Sequence, residues 1–298
     1  TASSAAKVSA DRLAAARRRA DIIHLHHPHP LADVASLLRS RRTPLVVTQH
    51  QDGKKPGTHF MARAVLRRAA AIVVPSRAHL ALSEELEGFE HKTEVIPFGI
   101  DEERWADVPR RPIDTPPRAL FIGRLVKFKG IDVLLRALER VPDLRLDIVG
   151  VGPDGPRLKT LTQALALADR VRFYGEYPDE DLPRRMAEAD FLVLPSVTVD
   201  EMFGLVVLEA MAASRPVITT AVPTGVREVN VPGETGLEVP VHDVRSLAEA
   251  LDTMARDPFL REKMGDAGRA RVEKYFTRRL MAERHLALYE QVLAYQPE

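Results

Sequence analysis

FLVLPSVTVDEMFGLVVLEAMAA, residues 191–213, is the stretch from which the rest of the chain is best read. It opens with FLVLPS (191–196), a short apolar run with the length and composition of a buried strand. It closes as a helix-like segment that runs to Ala213. Glu201 and Glu209 stand eight positions apart, separated by a wholly apolar and glycine run. A charge at the mouth of a strand–helix junction, and another one to two turns into a buried helix, is costly unless something pairs with it. Two explanations stay open on the residues alone. Glu201 can be a first-turn acid facing the helix dipole, with Glu209 a solvated position. Alternatively, a polyol ligand hydrogen-bonds to both.

The same strand-then-helix alternation extends in both directions. ALFIG (119–123), LDIVG (146–150), VRFYG (171–175) and PVITT (216–220) are each followed by a helix-like segment. Upstream, DIIHLHH (21–27), LVVTQ (45–49), AIVVPS (71–76) and EVIP (94–97) repeat the pattern, with helices expected over 11–20, to 38, over 60–70 and to about 86. Short apolar runs alternating with longer 3.6-period segments argue for parallel sheets covered by helices. WADVPRRPIDTPP (105–117) carries four prolines and reads as a linker. The fold expected is therefore α/β, with two Rossmann-like, doubly wound domains facing across a cleft. Their limits are drawn at 1–108 and 109–278. The amphipathic C-terminal segment, 279–298, is expected to bridge back to the first domain.

A length of 298 residues suits about two domains. No apolar run approaches the ~20 residues needed to span a bilayer, and the first residues lack the apolar centre of a leader. The absence of cysteine excludes disulfides, thiolate metal sites and a cysteine nucleophile. The net charge of +1 hides an asymmetry: the first 80 residues hold 14 Lys+Arg against 4 Asp+Glu and seven of the ten histidines. Such a segment suits an anionic partner, either a membrane surface or a phosphorylated acceptor. Nucleic acid is not expected, because Phe60 is the only aromatic there that could stack on a base.

Ligands of doubly wound sheets bind beyond the C-terminal strand ends, where helix N–H groups converge. Three junctions suit that role. In FIGRLVKFKGIDVLL (121–135), Gly123 ends a strand, Arg124, Lys127 and Lys129 follow, and Gly130 opens a helix. Cations at a helix start oppose the macrodipole unless an anion such as a diphosphate lies among them. The second junction holds Gly150-x-Gly152-x-x-Gly155, with Glu176 further on, which matches the dinucleotide fingerprint and leaves an NAD(P)-dependent enzyme as an alternative. Pro153 and Pro156 crowd that turn, and it follows the second strand of its domain rather than the first. The third junction is the opening stretch, where Phe203, Gly204, Leu205 and Val206 are expected in the first helical turn.

Gly123-Arg124-Leu125 with Lys129-Gly130, the EMFGLVVLEAMA block and RPVITT…PGETGLEVP resemble the retaining GT-B glycosyltransferases with the E-x7-E motif. That large family includes bacterial mannosyl-, glucosyl- and N-acetylglucosaminyltransferases. HLHHPHPLAD, VVTQHQD, VVPS and VIPFGID resemble the later part of its first domain. The resemblance implies that Arg124 and Lys129 neutralise the diphosphate of a nucleotide-sugar donor. It implies that Glu201 contacts the donor sugar, Glu209 the ribose, and the backbone of Phe203 to Val206 sugar and phosphate, with Gly123 beside them. His50 would face the sugar from the first domain. It further implies metal-independent transfer with no cofactor, by front-face attack in which the leaving phosphate takes the acceptor's proton.

The chain departs from that pattern at three points. Few residues precede the His24 strand, where the resemblance implies two to three further strands and a glycine-rich loop, so either these are missing from this sequence or the first domain is shortened, and a nucleotide-sugar-binding protein with little or no transfer activity is the alternative. Ser214 stands where glycine is usual, at a turn that requires φ > 0, and costs on the order of 1 kcal/mol there. Lys127 replaces a common glutamate. Asp179-Glu180-Asp181 reads as a helix start rather than a metal site. His24 and His26 share a strand face, so zinc is conceivable with His27 and His29 nearby, but no carboxylate or cysteine completes the set. The expected partners are a GDP- or UDP-linked hexose, with a lean to GDP-mannose, and a saccharide or lipid-linked acceptor. The expected setting is the cytoplasm, at the inner membrane face, for a monomer or weak dimer.

Overall fold

The computed structural model describes residues 20–38, 43–53, 58–113 and 115–294. The helix expected over 11–20 lies almost wholly outside them. The chain divides into two compact units, one reaching to residue 97 and resuming at 279, the other spanning 98–278.

The first unit alternates β1 (Ile23–His27), α1 (Pro30–Leu38), β2 (Leu45–Gln49), α2 (Thr58–Arg68), β3 (Ala71–Val74), α3 (Arg77–Leu82) and β4 (Thr93–Val95). The four strands are parallel in the order β1-β2-β3-β4. β2 and β3 are buried along their whole length, which is why they read as continuous apolar runs. Ser76 caps α3 by accepting a hydrogen bond from the His79 N–H at 3.0 Å. α3 stops at Leu82, short of the expected 86, because Ser83 turns extended (ψ 115°) and a separate 3-10 turn covers Glu84–Leu86. On one face of the sheet Val46, Val73 and Ile96 cluster with Leu288 of the C-terminal helix, Arg278–Ala294.

The second unit continues with β5 (Arg118–Ile122), α4 (Ile131–Leu138), β6 (Arg145–Val149), α5 (Gly155–Ala164), β7 (Val171–Gly175), α6 (Leu182–Ala187) and β8 (Phe191–Leu194). It ends with α7 (Leu205–Ala212), β9 (Val217–Thr220), α8 (Val226–Val229), β10 (Gly236–Val239), α9 (Val244–Arg256) and α10 (Pro258–Tyr275). The sheet order is β10-β9-β8-β5-β6-β7, all parallel. Numbered within the unit, this is the Rossmann order, with its topological switch point between β5 and β8. β10 has no counterpart in the sequence reading, since GLEV carries a glycine and a glutamate and shows no apolar run.

α7 is apolar on nearly all sides because it is buried nearly all round, through Val207, Leu208, Ala210, Met211 and Ala212. The turn that ends it holds Ser214 at φ 53°, as the sequence required. The fully buried Arg215 then gathers the carbonyls of Met186 (3.1 Å), Ala189 (2.8 Å), Ala213 (2.9 Å) and Pro109. Burial lowers its pKa to about 10. That bond to Pro109, with Arg111 paired to Asp190, ties the proline-rich segment into the second unit. Among the described residues no helix is long and apolar enough to cross a membrane.

Candidate functional site

The switch point puts the loop after β5 beside the loop after β8. Gly130 opens α4 in the left-handed region (φ 64°), and an added Cβ would lie 2.1 Å from the Pro195 carbonyl oxygen. Only glycine permits that approach. The approach lets Lys129 Nζ donate to Glu201 Oε2 at 2.5 Å, although the residues are 72 positions apart. Both side chains are largely buried, at 13% and 10% exposure. Ser196 Oγ, at the end of the β8 run, donates to the same oxygen at 2.8 Å. Glu201 Oε1 keeps no hydrogen bond among the described residues. The costly charge read from the sequence is thus half paired, with one oxygen left for a donor.

Gly123 ends β5 in an extended, positive-φ conformation (155°), with its N–H bonded to the Val149 carbonyl at 3.0 Å. Arg124 follows, exposed, and its side chain makes no ion pair or hydrogen bond among the described residues. Lys127 is also exposed, and its charge helps hold the Asp154 carboxyl below its usual range, after the larger effect of the Arg157 hydrogen bond. Two free-standing cations and one ion-paired lysine therefore surround the start of α4.

Phe203 and Gly204 precede α7 rather than lying in its first turn. Gly204 is the N-cap residue in the left-handed region (φ 73°), and Leu205 is the first helical residue. The Phe203 ring is core, packed edge-on against Phe98 at 5.3 Å, so only its backbone can meet a ligand. Leu205 is 47% exposed and Val206 half-buried at the helix N-terminus, where N–H groups lack intrahelical acceptors.

Glu209 lies one turn further on, half-buried, with no hydrogen-bond donor among the described residues. Burial pushes its pKa up to about 7, and the nearby Asp179 adds to the rise against the opposing charge of Arg104. Arg104 pairs with Asp179 at 3.0 Å and lies over the Trp105 ring. Asp179–Asp181 forms a 3-10 turn leading into α6, the helix start read from the sequence.

His50 belongs to the first unit and sits just past β2, with its Nε2 2.9 Å from His26 Nδ1. One ring must donate and the other accept, so the pair cannot carry two charges; burial first, then the neighbouring histidines, lower both pKa values. His24 and His26 do share a face, stacked at 4.8 Å. His24 is bonded to Thr48 (2.7 Å) and Tyr289 (2.5 Å), and burial lowers its pKa to about 4. His27 differs: burial opposes its charge, but hydrogen bonding and charge from Asp33 and Glu85 raise its pKa to about 9. His29 approaches that pair through its backbone, its N–H donating to Asp33 Oδ2 at 3.2 Å. Among the described residues no group of three or more His, Asp or Glu is arranged to hold a metal ion.

The dinucleotide fingerprint has a packing explanation. A Cβ on Gly150 would lie 2.0 Å from the Gly123 carbonyl oxygen, and one on Gly152 2.2 Å from that of Leu125. These glycines let the second βα loop lie against the first. Asp154 N–H closes the contact by donating to the Leu125 carbonyl at 3.0 Å.

The family model described as "Glycosyl transferases group 1" matches residues 103–271, more than half of the chain. The chain belongs to the group 1 glycosyl transferases. A second model, "Glycosyltransferase Family 4", matches residues 3–104 of this transferase. The transferase is 30% identical to the D-rhamnosyltransferase WbpZ of Pseudomonas aeruginosa over 87% of its own length and 70% of that protein's. It is 34% identical to a phosphatidyl-myo-inositol mannosyltransferase of Mycobacterium tuberculosis, covering 86% of this chain and 70% of that one. Among solved structures, sucrose-phosphate synthase from Thermosynechococcus elongatus superposes with a TM-score of 0.83 at 28% identity, covering 97% of this chain and 78% of that one. The two-domain Rossmann-like architecture of the transferase is thus that of GT-B proteins.

Four partners of the candidate residues escaped the sequence reading. Ser196 was seen only as the end of a strand, and Arg104 and Asp179 carry no motif signal linking them to Glu209. His26 as partner of His50 could have been found, because parallel β1–β2 pairing sets His26 opposite Thr48, beside the end of β2.

Proposed function

We propose that this chain is a retaining hexosyltransferase using a nucleotide-sugar donor bound at the β5/β8 switch point. The observation that carries the reading is the pairing of Lys129 with Glu201 beside the unpaired Arg124. In this reading Arg124 and Lys129 take the diphosphate, Gly123 and the N–H groups of Phe203 to Val206 line its approach, and Glu201 Oε1 accepts from a sugar hydroxyl. Glu209, half-buried without a donor among the described residues, accepts from the ribose diol.

The anomeric C1–O bond to the diphosphate breaks with both electrons going to the phosphate oxygen. The acceptor hydroxyl bonds to C1 from the same face, and its proton passes to that leaving oxygen. Two cations stabilise the developing charge without a metal or cofactor, so positioning and electrostatics supply the catalysis. His50, in the first unit, pairs with His26, and burial, then the neighbouring histidines, lower its pKa. The names of the relatives, a mannosyltransferase and a D-rhamnosyltransferase, favour a GDP-linked mannose-type donor over a UDP-linked one.

For the acceptor, a saccharide or lipid-linked saccharide at an anionic membrane surface fits the basic first 80 residues. α1 adds support, since it exposes Leu31, Val34 and Leu38 at helical spacing and α2 exposes Phe60. The test is a thermal-shift panel of GDP-, UDP- and ADP-sugars and NAD(P) in EDTA, followed by mass spectrometry of products. Stabilisation by one nucleotide sugar with transfer or slow hydrolysis supports the reading. Binding without either points to a nucleotide-sugar-binding protein, and stabilisation by NAD(P) alone overturns it.

A further inference from the structure

At the opposite ends of the strands from the candidate donor site, an open cavity of about 530 Å³ is lined by five arginines and a single carboxylate. Arg118 begins β5, and Arg172 and Tyr174 come from β7. Arg172 is in register with Asp147 of β6, so these residues share one face of the sheet edge. Arg110 and Arg111 enter from the proline-rich segment, and Arg185 from α6.

Four of the five guanidiniums are held in place. Arg110 pairs with Glu262 at 2.8 Å, Arg111 with Asp190, Arg118 with Asp147 at 2.8 Å, and Arg185 with Glu188 at 2.7 Å. Arg185 also lies over Tyr174, 4.2 Å from the ring centre, and donates to the Tyr177 hydroxyl. The Arg172 side chain makes no ion pair or hydrogen bond among the described residues, and the buried Arg118 Nε–H has no acceptor there. Behind the wall, the buried Arg261 shares Asp190 with Arg111 while Arg215 only feels its charge, and burial lowers the pKa values of Arg215 and Arg261. Asp147 and Asp190 lie buried behind the guanidiniums, Glu188 lines the cavity, and Glu262 and Asp266 are exposed partners of Arg110, so Arg172 is the lining guanidinium with no side-chain partner among the described residues.

We propose that this cavity is a second anion site of the donor-binding unit, taking the phosphoryl group of a small phosphomonoester. Its volume fits a small molecule rather than a polymer. Fixed guanidinium forks suit phosphate oxygens, with the ordering cost already met by the ion pairs. β5 advances about 3.3 Å per residue, which sets Arg118 roughly 16 Å from Gly123 and makes the two sites distinct.

The experiment is isothermal titration of the full chain with inorganic phosphate, a hexose phosphate and a nucleoside monophosphate. It is run on wild type, Arg172→Ala and Arg124→Ala. The expected result is binding that survives Arg124→Ala and weakens about tenfold or more in Arg172→Ala, as loss of one charged contact implies. Inorganic phosphate binding as well as the esters would make phosphate itself the ligand. Binding weaker than about 10 mM for all three probes, or insensitive to Arg172→Ala, overturns the proposal. Binding lost in Arg124→Ala and intact in Arg172→Ala assigns the anion to the donor site and overturns it equally. Failure here leaves the donor reading untouched, since that reading rests on Arg124 and Lys129.

Discussion

Arg124 is exposed beyond β5 with no partner among the described residues, so its removal costs the fold little. Arg124→Ala is expected to leave the melting temperature unchanged while weakening donor binding by the worth of a charged contact, about 1.5–3 kcal/mol. Paired titration and thermal unfolding check this. Glu209 gives a pH signature. Its pKa in the free protein is about 7, whereas hydroxyl donors from a ribose favour the ionised form. Donor affinity should therefore rise as the pH goes from 6 to 8 and then level off, with Glu209→Gln flattening the profile. The effect on stability has the opposite sense. A carboxyl whose folded pKa is raised keeps a proton that the unfolded chain has lost, so its contribution falls as pH rises from about 4.5 to about 7. His27 works in the same window type but from the cationic side. Its pKa of about 9 makes its contribution full below about 6.5 and lost by about pH 9, and His27→Gln should remove that loss from the urea-unfolding profile.

At the level of elements, the loop after β5 and the turn after α7 carry opposite lessons about the backbone. Gly130→Ala would place a methyl group against the Pro195 carbonyl and force alanine to φ 64°. A loss of at least about 2 kcal/mol is expected, together with a weaker donor site, because the Lys129–Glu201 contact depends on that approach. Ser214 already sits at φ 53°, so Ser214→Gly is expected to stabilise by about 1 kcal/mol, or roughly 2–4 °C in melting temperature. The turn was legible through the family resemblance, in which glycine is usual at the position of Ser214. Strands β5, β8 and β9 were legible because they are buried in the sheet interior and read as short apolar runs. β10 was not, because an edge strand with half-buried Leu237 and Glu238 has no such signature. α3 was overrun, since a 3-10 turn has nearly the same local composition as the helix before it.

Across the whole molecule, the sequence pointed to the residues of the candidate site but not to their partners. Lys129 and Glu201 were each visible as an uncomfortable charge near a strand end. Their pairing across 72 positions follows from β5 and β8 being sheet neighbours, an arrangement that no local period encodes. Glu209 was legible as a carboxylate in an apolar helix, while Arg104 and Asp179 beside it were not, as both lie in short 3-10 turns. The basic first 80 residues and the exposed Leu31, Val34 and Leu38 predict binding to vesicles containing anionic lipid. Co-sedimentation should fall with rising salt and with Leu38→Glu. The central claim is that a nucleotide sugar binds at the β5/β8 switch point without metal. Calorimetric titration of GDP-mannose and UDP-glucose into wild type and Arg124→Ala, in EDTA, tests it most directly. The account predicts saturable binding of one of them, weakened about ten- to a hundredfold by the substitution; equal binding to both proteins, or none in EDTA, would contradict it.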